Sequence, residues 1–183
     1  EGILKGVYRY ERCDRKRNRP RIHLFGSGAI LNEVIRAKQM LSERFKVCAD
    51  VWSVTSYQQL RRDALAVERW NRLHPADKPR KSYFEKQLEH DPHPIVAASD
   101  YVKLVPEQLA RFAPAEFVAL GTDGYGRSDS REALRRFFEV DAESIVIAAL
   151  SLLARRGEIA TEVVSGAIES FELETDRSDP ARS

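Results

Sequence analysis

Gly26-Ser27-Gly28 follows the apolar run Arg21-Ile-His-Leu-Phe25 and precedes apolar residues at helical spacing. Glycines between a strand and a helix let backbone N–H groups approach a phosphate or carboxylate, and the helix behind them adds partial positive charge. A dinucleotide fingerprint needs a third small residue, and Leu31 stands in its place. A plain tight turn therefore outweighs a nucleotide site, with an anion site at Gly26, Ser27 and Gly28 ranking between them. The same residues lack the flanks of a G-x-S-x-G elbow, so nucleophilic catalysis has little support. His90-Asp91-Pro92-His93 holds metal-ligand residue types, yet Pro92 and Pro94 forbid a helical ligand pair and no cysteine is near. An exposed loop is expected there. His23 reads as a hydrogen-bonded sheet residue rather than a general base, and His74, before Pro75, as a helix C-terminal cap.

Gly121-Thr-Asp-Gly-Tyr-Gly-Arg-Ser-Asp-Ser130 sets three glycines behind an apolar run and then adds alternating charge. A bent loop at a strand end is the usual ligand location in open α/β sheets, and it suits a docking contact equally well. Asp123, Tyr125, Arg127, Asp129 and Arg131 are its candidate contact residues. Arg12–Arg21 carries six basic residues but no aromatic side chain on which bases could stack, so a solvated connection is expected.

These residues need elements to position them. A first strand is read in Ile3–Tyr10, a second in Arg21–Phe25, and a helix from Ala29 to Phe45 through Val34, Ala37 and Leu41. Lys46–Thr55 is β-branched and apolar, and Ser56 is placed to cap a helix ending near His74-Pro75. The proline-broken stretch 76–94 is too long for a plain connection and should hold structure of its own. Ile95–Ala98 and Phe117–Leu120 read as strands, with a helical Tyr101–Phe112 between them. Helices follow at Arg131–Phe138 behind Asp129 or Ser130, at Ile145–Ala154 behind Asp141, and at Glu162–Phe171. Strands alternating with helices imply right-handed crossovers and a mainly parallel sheet covered on both faces. The first strand, reached through too short a connection for a helical crossover, joins antiparallel at an edge.

At 183 residues the chain suits one soluble domain. The 32% charged residues nearly cancel, at +2 net, so global charge points to neither a nucleic-acid nor a membrane partner. No run approaches the ~20 apolar residues of a membrane span. Cys13 and Cys48 are too few for a disulfide framework. They read as a strand-end thiol and a small core residue, which fits a reducing cytoplasm. The chain opens at Glu1 and its only methionine is Met40, which suggests a chain cut or processed from a longer one.

Several segments together resemble a known family. Glu1-Gly-Ile-Leu-Lys-Gly6, Leu24–Leu31, Asp50-Val-Trp-Ser-Val-Thr-Ser56, Glu68-Arg-Trp-Asn-Arg-Leu-His-Pro75, Gly121–Arg131 and Gly157-Glu-Ile keep the order and spacing of one pattern. It is that of the C-terminal domain of homodimeric pyruvate dehydrogenase decarboxylase components, the acetyl-transferring, thiamine-diphosphate enzymes. The resemblance implies a three-layer α/β/α fold, transketolase C-terminal-like, with a five-stranded mixed sheet whose first strand is antiparallel. The domain would span residues 1–171, leaving a polar tail, 172–183, that should fray. Thiamine diphosphate and magnesium would be held by domains absent here, so no cofactor, metal or catalytic residue is assigned to this chain. The partners implied are a second copy, making a homodimer, and the lipoyl acyltransferase core of the complex, in the cytoplasm. On this reading the domain is structural and supports the dimer. The alternative is an interaction or anion-binding regulatory module.

Overall fold

The computed structural model describes residues 1–14 and 19–182. The middle of the basic stretch, Arg15 to Asn18, lies outside the described residues.

The sheet is five-stranded, in the order β1-β3-β2-β4-β5. Its strands are β1 (Val7–Glu11), β2 (Arg21–Gly26), β3 (Cys48–Val54), β4 (Ile95–Ala98) and β5 (Phe117–Leu120). β1 pairs antiparallel with β3 at the edge, and every other pairing is parallel. The expected architecture, including the antiparallel first strand, is the observed one.

Period-two alternation sorts the strand side chains between two cores. Ile22, Leu24, Ala49, Val51, Val96 and Ala98 face one side. Phe25, Trp52, Val54, Ile95 and Ala97 face the other. The first side is covered by α2 (Leu31–Arg44), α7 (Ala142–Arg155) and α8 (Thr161–Ser170). The second is covered by α3 (Tyr57–Leu73), α4 (Tyr83–Leu88) and the segment after β4 that holds α5 (Leu104–Glu107).

Local signals set most boundaries. Ser56 Oγ accepts from Gln59 N at the start of α3, Ser130 Oγ from Ala133 N at α6 (Arg131–Phe137), and Asp141 from Ser144 N at α7. A capping box of Ser82 and Glu85 starts α4, giving the long 76–94 excursion structure of its own. His74 is the C-cap of α3, its Nδ1 2.8 Å from the Trp70 carbonyl oxygen, as expected.

Three expectations need correction. The first strand does not begin at Ile3: Gly2–Lys5 form a helical turn, α1, and Gly6 at φ 105° reverses the chain before Val7. Only glycine adopts that φ without strain. Tyr101–Phe112 is not one helix but α5 followed by a separate 3-10 turn at Ala110–Phe112. Cys13 and Cys48 are not two thiols; they are paired as a disulfide across Cα atoms 5.4 Å apart, although Cys48 is buried as expected. Residues 172–182 are mostly exposed, with a few contacts to the domain. Arg177 donates to the carbonyls of Arg136 and Phe137 and to Glu139, and Pro180 is buried.

Candidate strand-end site and a buried ionic network

The order β3-β2-β4 places the reversal of strand order beside β2, so the crevice beyond the strand ends opens there. A cavity of about 890 Å³ fills it, lined by Ser27, Gly28, Ser53, Tyr57, Arg61 and Tyr101 among others. The Gly26–Gly28 turn is as tight as expected, since a Cβ on Gly26 would come within 2.9 Å of Leu31 Cα. Ser27 stands where a cap would sit for the 3-10 turn leading into α2, yet no side-chain cap bond forms. Its hydroxyl is buried without a hydrogen-bond partner among the described residues, and so is that of Tyr57. Burial pushes the Tyr57 phenol well above its ordinary range, so it remains protonated and able to donate. Sequence reasoning missed Tyr57, Ser53 and Arg61 because nothing local ties them to Ser27; only the parallel pairing of β2 and β3 does.

The second predicted segment lies at the same end of the sheet. Thr122 N donates to the Tyr101 carbonyl, and Lys103 N to Asp123. Asp129 accepts from Ser130 N, Arg127 stacks over Phe137 with 4.1 Å from its guanidinium carbon to the ring centre, and Arg131 opens α6. Asp129 and Arg131 share a 490 Å³ hollow with Ala29, Ile30 and Asp100, which joins this loop to the glycine turn. Of the five candidate contact residues, Tyr125, Arg127, Asp129 and Arg131 are exposed, Tyr125 at 85%, and Asp123 is half-buried.

The His90–His93 segment is a loop with His90 and Pro92 exposed, as expected, but Asp91 within it is buried. Asp91 is buried, with Arg21 at 2.7 Å, Arg9 at 3.6 Å and His93 Nε2 at 3.2 Å from its carboxylate. His23 Nε2 is 2.7 Å from the Asp91 carbonyl oxygen, and Trp52 Nε1 is 3.2 Å from His23 Nδ1. An indole N–H only donates, so Nδ1 accepts and the proton sits on Nε2, which donates to Asp91. Both bonds require the neutral ring. His23 is thus a sheet residue with both nitrogens engaged, as expected.

Burial lowers the His23 pKa below its ordinary 6.5, overriding the nearby carboxylates. Burial, then Arg21, lowers that of His93. Unfolding restores ordinary values, so the unfolded chain takes up protons that the folded chain refuses. Their contribution to stability is complete above pH 6.5 and is lost as pH falls through the lowered folded-state values. The urea midpoint should therefore fall between pH 7.5 and pH 5.5, and fall less in His93→Gln. A midpoint equally flat in both proteins would refute this.

Among the described residues, no three His, Cys, Asp or Glu side chains converge to hold a metal ion. No helix there is long and apolar enough to cross a membrane.

Residues 6–141 match the model of the transketolase-like C-terminal domain. The chain belongs to that family. Its curated relatives include the pyruvate dehydrogenase E1 component of Pseudomonas aeruginosa, 50% identical across 98% of this chain and 20% of that protein. The same component of Escherichia coli K12 is 47% identical over the same shares. The chain thus spans about a fifth of the length of these relatives. Solved structures share the fold at low identity. A transketolase from Leishmania mexicana superposes with TM-score 0.56 at 18% identity, covering 84% of this chain and 19% of that one. A Pichia stipitis transketolase gives the same score and identity over 84% and 18%. The family match ends before α7 and α8, yet α7 packs on α2 and α8 on α7 in one core.

Proposed function

We propose that this chain is the C-terminal, structural domain of the pyruvate-decarboxylating, acetyl-transferring subunit of a pyruvate dehydrogenase complex. The observation that carries the reading is the near-complete alignment, 50% identical over 98% of the chain, to a protein of that name. On this reading the whole enzyme decarboxylates pyruvate on thiamine diphosphate and acetylates lipoyl groups of an acyltransferase core, in the cytoplasm. The residues described here do not fit the cofactor: no metal-ligating cluster forms, and the strand-end crevice has no carboxylate among its lining residues. No step of the reaction is derived through the cofactor on this chain. Its residues supply a folded platform. The test is pyruvate decarboxylation by the full-length enzyme and by the 183-residue chain, each with thiamine diphosphate and magnesium. Turnover is expected from the first alone, and turnover by the chain would sink the structural reading.

A contact role for Gly121–Arg131 is favoured by what surrounds it. Tyr101, Val102 and Leu104 are exposed at 55%, 48% and 67%, on the segment tied to this loop. Exposed apolar groups held on a fixed loop are suited to docking. We expect the contact to be with the rest of the enzyme, supporting its homodimer. In the full-length enzyme, Tyr125→Ala combined with Leu104→Ser should raise the dimer dissociation constant severalfold in sedimentation analysis. An unchanged constant would rule out this surface.

A further inference from the structure

Two residues that line one crevice, Ser27 and Tyr57, carry buried hydroxyls without partners among the described residues. Ser27 is 5% exposed and Tyr57 4%, and neither hydroxyl has a hydrogen-bond partner among the described residues. Leaving a buried polar group unmade normally costs stability, so such groups are uncommon and tend to mark sites. They come from different elements, Ser27 from the β2–α2 turn and Tyr57 from the first turn of α3, and both residues line the 890 Å³ crevice. The first turns of α2 and α3, both longer than three turns, open on that crevice and bring partial positive charge. The start of α2 has no side-chain cap to take up its N–H groups. Among the described residues of the lining, Arg61 is the sole charged side chain; the others are neutral, with Gln58 and Gln108 as further donors. Every such feature favours an acceptor with negative charge.

We infer that this crevice binds an oxyanion head group, a carboxylate or phosphate on a small organic molecule, with Ser27 Oγ, Tyr57 OH and Arg61 as its donors. Asp100 stands beside Gly28, with both carboxylate oxygens 3.7 Å from where a Cβ would be, and bounds the site on that side. This inference does not depend on the reading of the parent enzyme, because it rests on the crevice alone.

The test is an amide NMR titration of the 183-residue chain at constant ionic strength, with sodium acetate, sodium phosphate and glycerol in separate arms. Saturable shifts at Ser27, Gly28 and Gln58 with acetate or phosphate support the site, and the stronger arm names the head group. Arg61→Gln and Ser27→Ala should each weaken binding by about fivefold or more. Tyr57→Phe should weaken it likewise while raising the melting temperature of the free chain by about 2–4 °C, since it removes a hydroxyl with no partner. Saturation by neither anion overturns the inference, as does equal saturation by glycerol. A Tyr57→Phe chain that melts lower and binds as before also overturns it, because the hydroxyl would then serve the fold.

Discussion

Asp91→Ala is expected to lower the unfolding free energy by about 3–5 kcal/mol, read from urea denaturation at pH 7.5. The carboxylate is 6% exposed and sits between Arg21 and Arg9, whose side chains are 27% and 15% exposed. Removing one member of a buried ionic group costs more than its presence contributes, because the charges left behind can neither pair nor reach water. Arg9 keeps Asp50 at 3.3 Å and the Trp52 ring at 4.4 Å, so Arg21 is left with the larger deficit. The bond from His23 goes to the backbone of residue 91 and survives the substitution, which isolates the side chain's share. Asp91→Asn sharpens the test by keeping the volume and removing the charge. Since whole domains hold about 5–15 kcal/mol, Asp91→Ala should be near the edge of folding at 37 °C. A loss below about 1 kcal/mol would show that water screens this network far more than its burial suggests.

Glu33→Ala is the counterpart on the other face of the sheet, with an expected loss of about 3–4 kcal/mol. Its side chain is 5% exposed and joins three helices. Oε1 accepts from Arg135 on α6 at 2.7 Å, and Oε2 from Arg36 on α2 at 2.8 Å and from Ala142 N at the start of α7 at 3.2 Å. The carboxylate also lies in the first turn of α2, where the helix dipole favours negative charge. Its removal leaves the α7 amide without an acceptor and Arg135, 17% exposed, without its ion pair. Two readouts are expected to move together: the urea midpoint, and hydrogen exchange at Ala142 N, which should quicken even under conditions where the chain stays folded. If exchange there is unchanged while the midpoint drops, Glu33 acts through α6 and not through the α7 cap.

What could be read in the sequence was local. Ser56, Ser130 and Asp141 announce their helices because a cap acts within three residues, and alternation along Arg21–Gly26 and Cys48–Val54 needs only its own neighbours. The Gly26–Gly28 turn and the Gly121–Arg131 loop were found at the correct end of the sheet for the same reason. The failures are long-range. Tyr57 joins Ser27, Asp91 joins Arg21 and His23, and Cys13 joins Cys48 only after strands have paired, across separations that no spacing rule spans. The proline-flanked His90–His93 was taken for an exposed loop because its composition is that of one. The exception within it is Asp91, whose buried carboxylate is held by two arginines elsewhere. Gly6 is the exception, a local signal whose positive φ turns Gly2–Lys5 out of the first strand.

The packing of α7 on α2 has a consequence for how the chain is made. The α2 stripe of Val34, Ala37 and Leu41 is completed by Ile145, Ala149 and Leu153, which leave the ribosome more than a hundred residues later. At ~5–20 residues per second of synthesis, that apolar stripe waits roughly 5–20 s for its cover. The other face closes sooner, since Tyr57, Leu60, Phe84 and Leu88 follow β3 within a short stretch. A nascent chain halted before residue 142 would thus hold one finished face and one sticky one, and it is there that a holdase chaperone would bind.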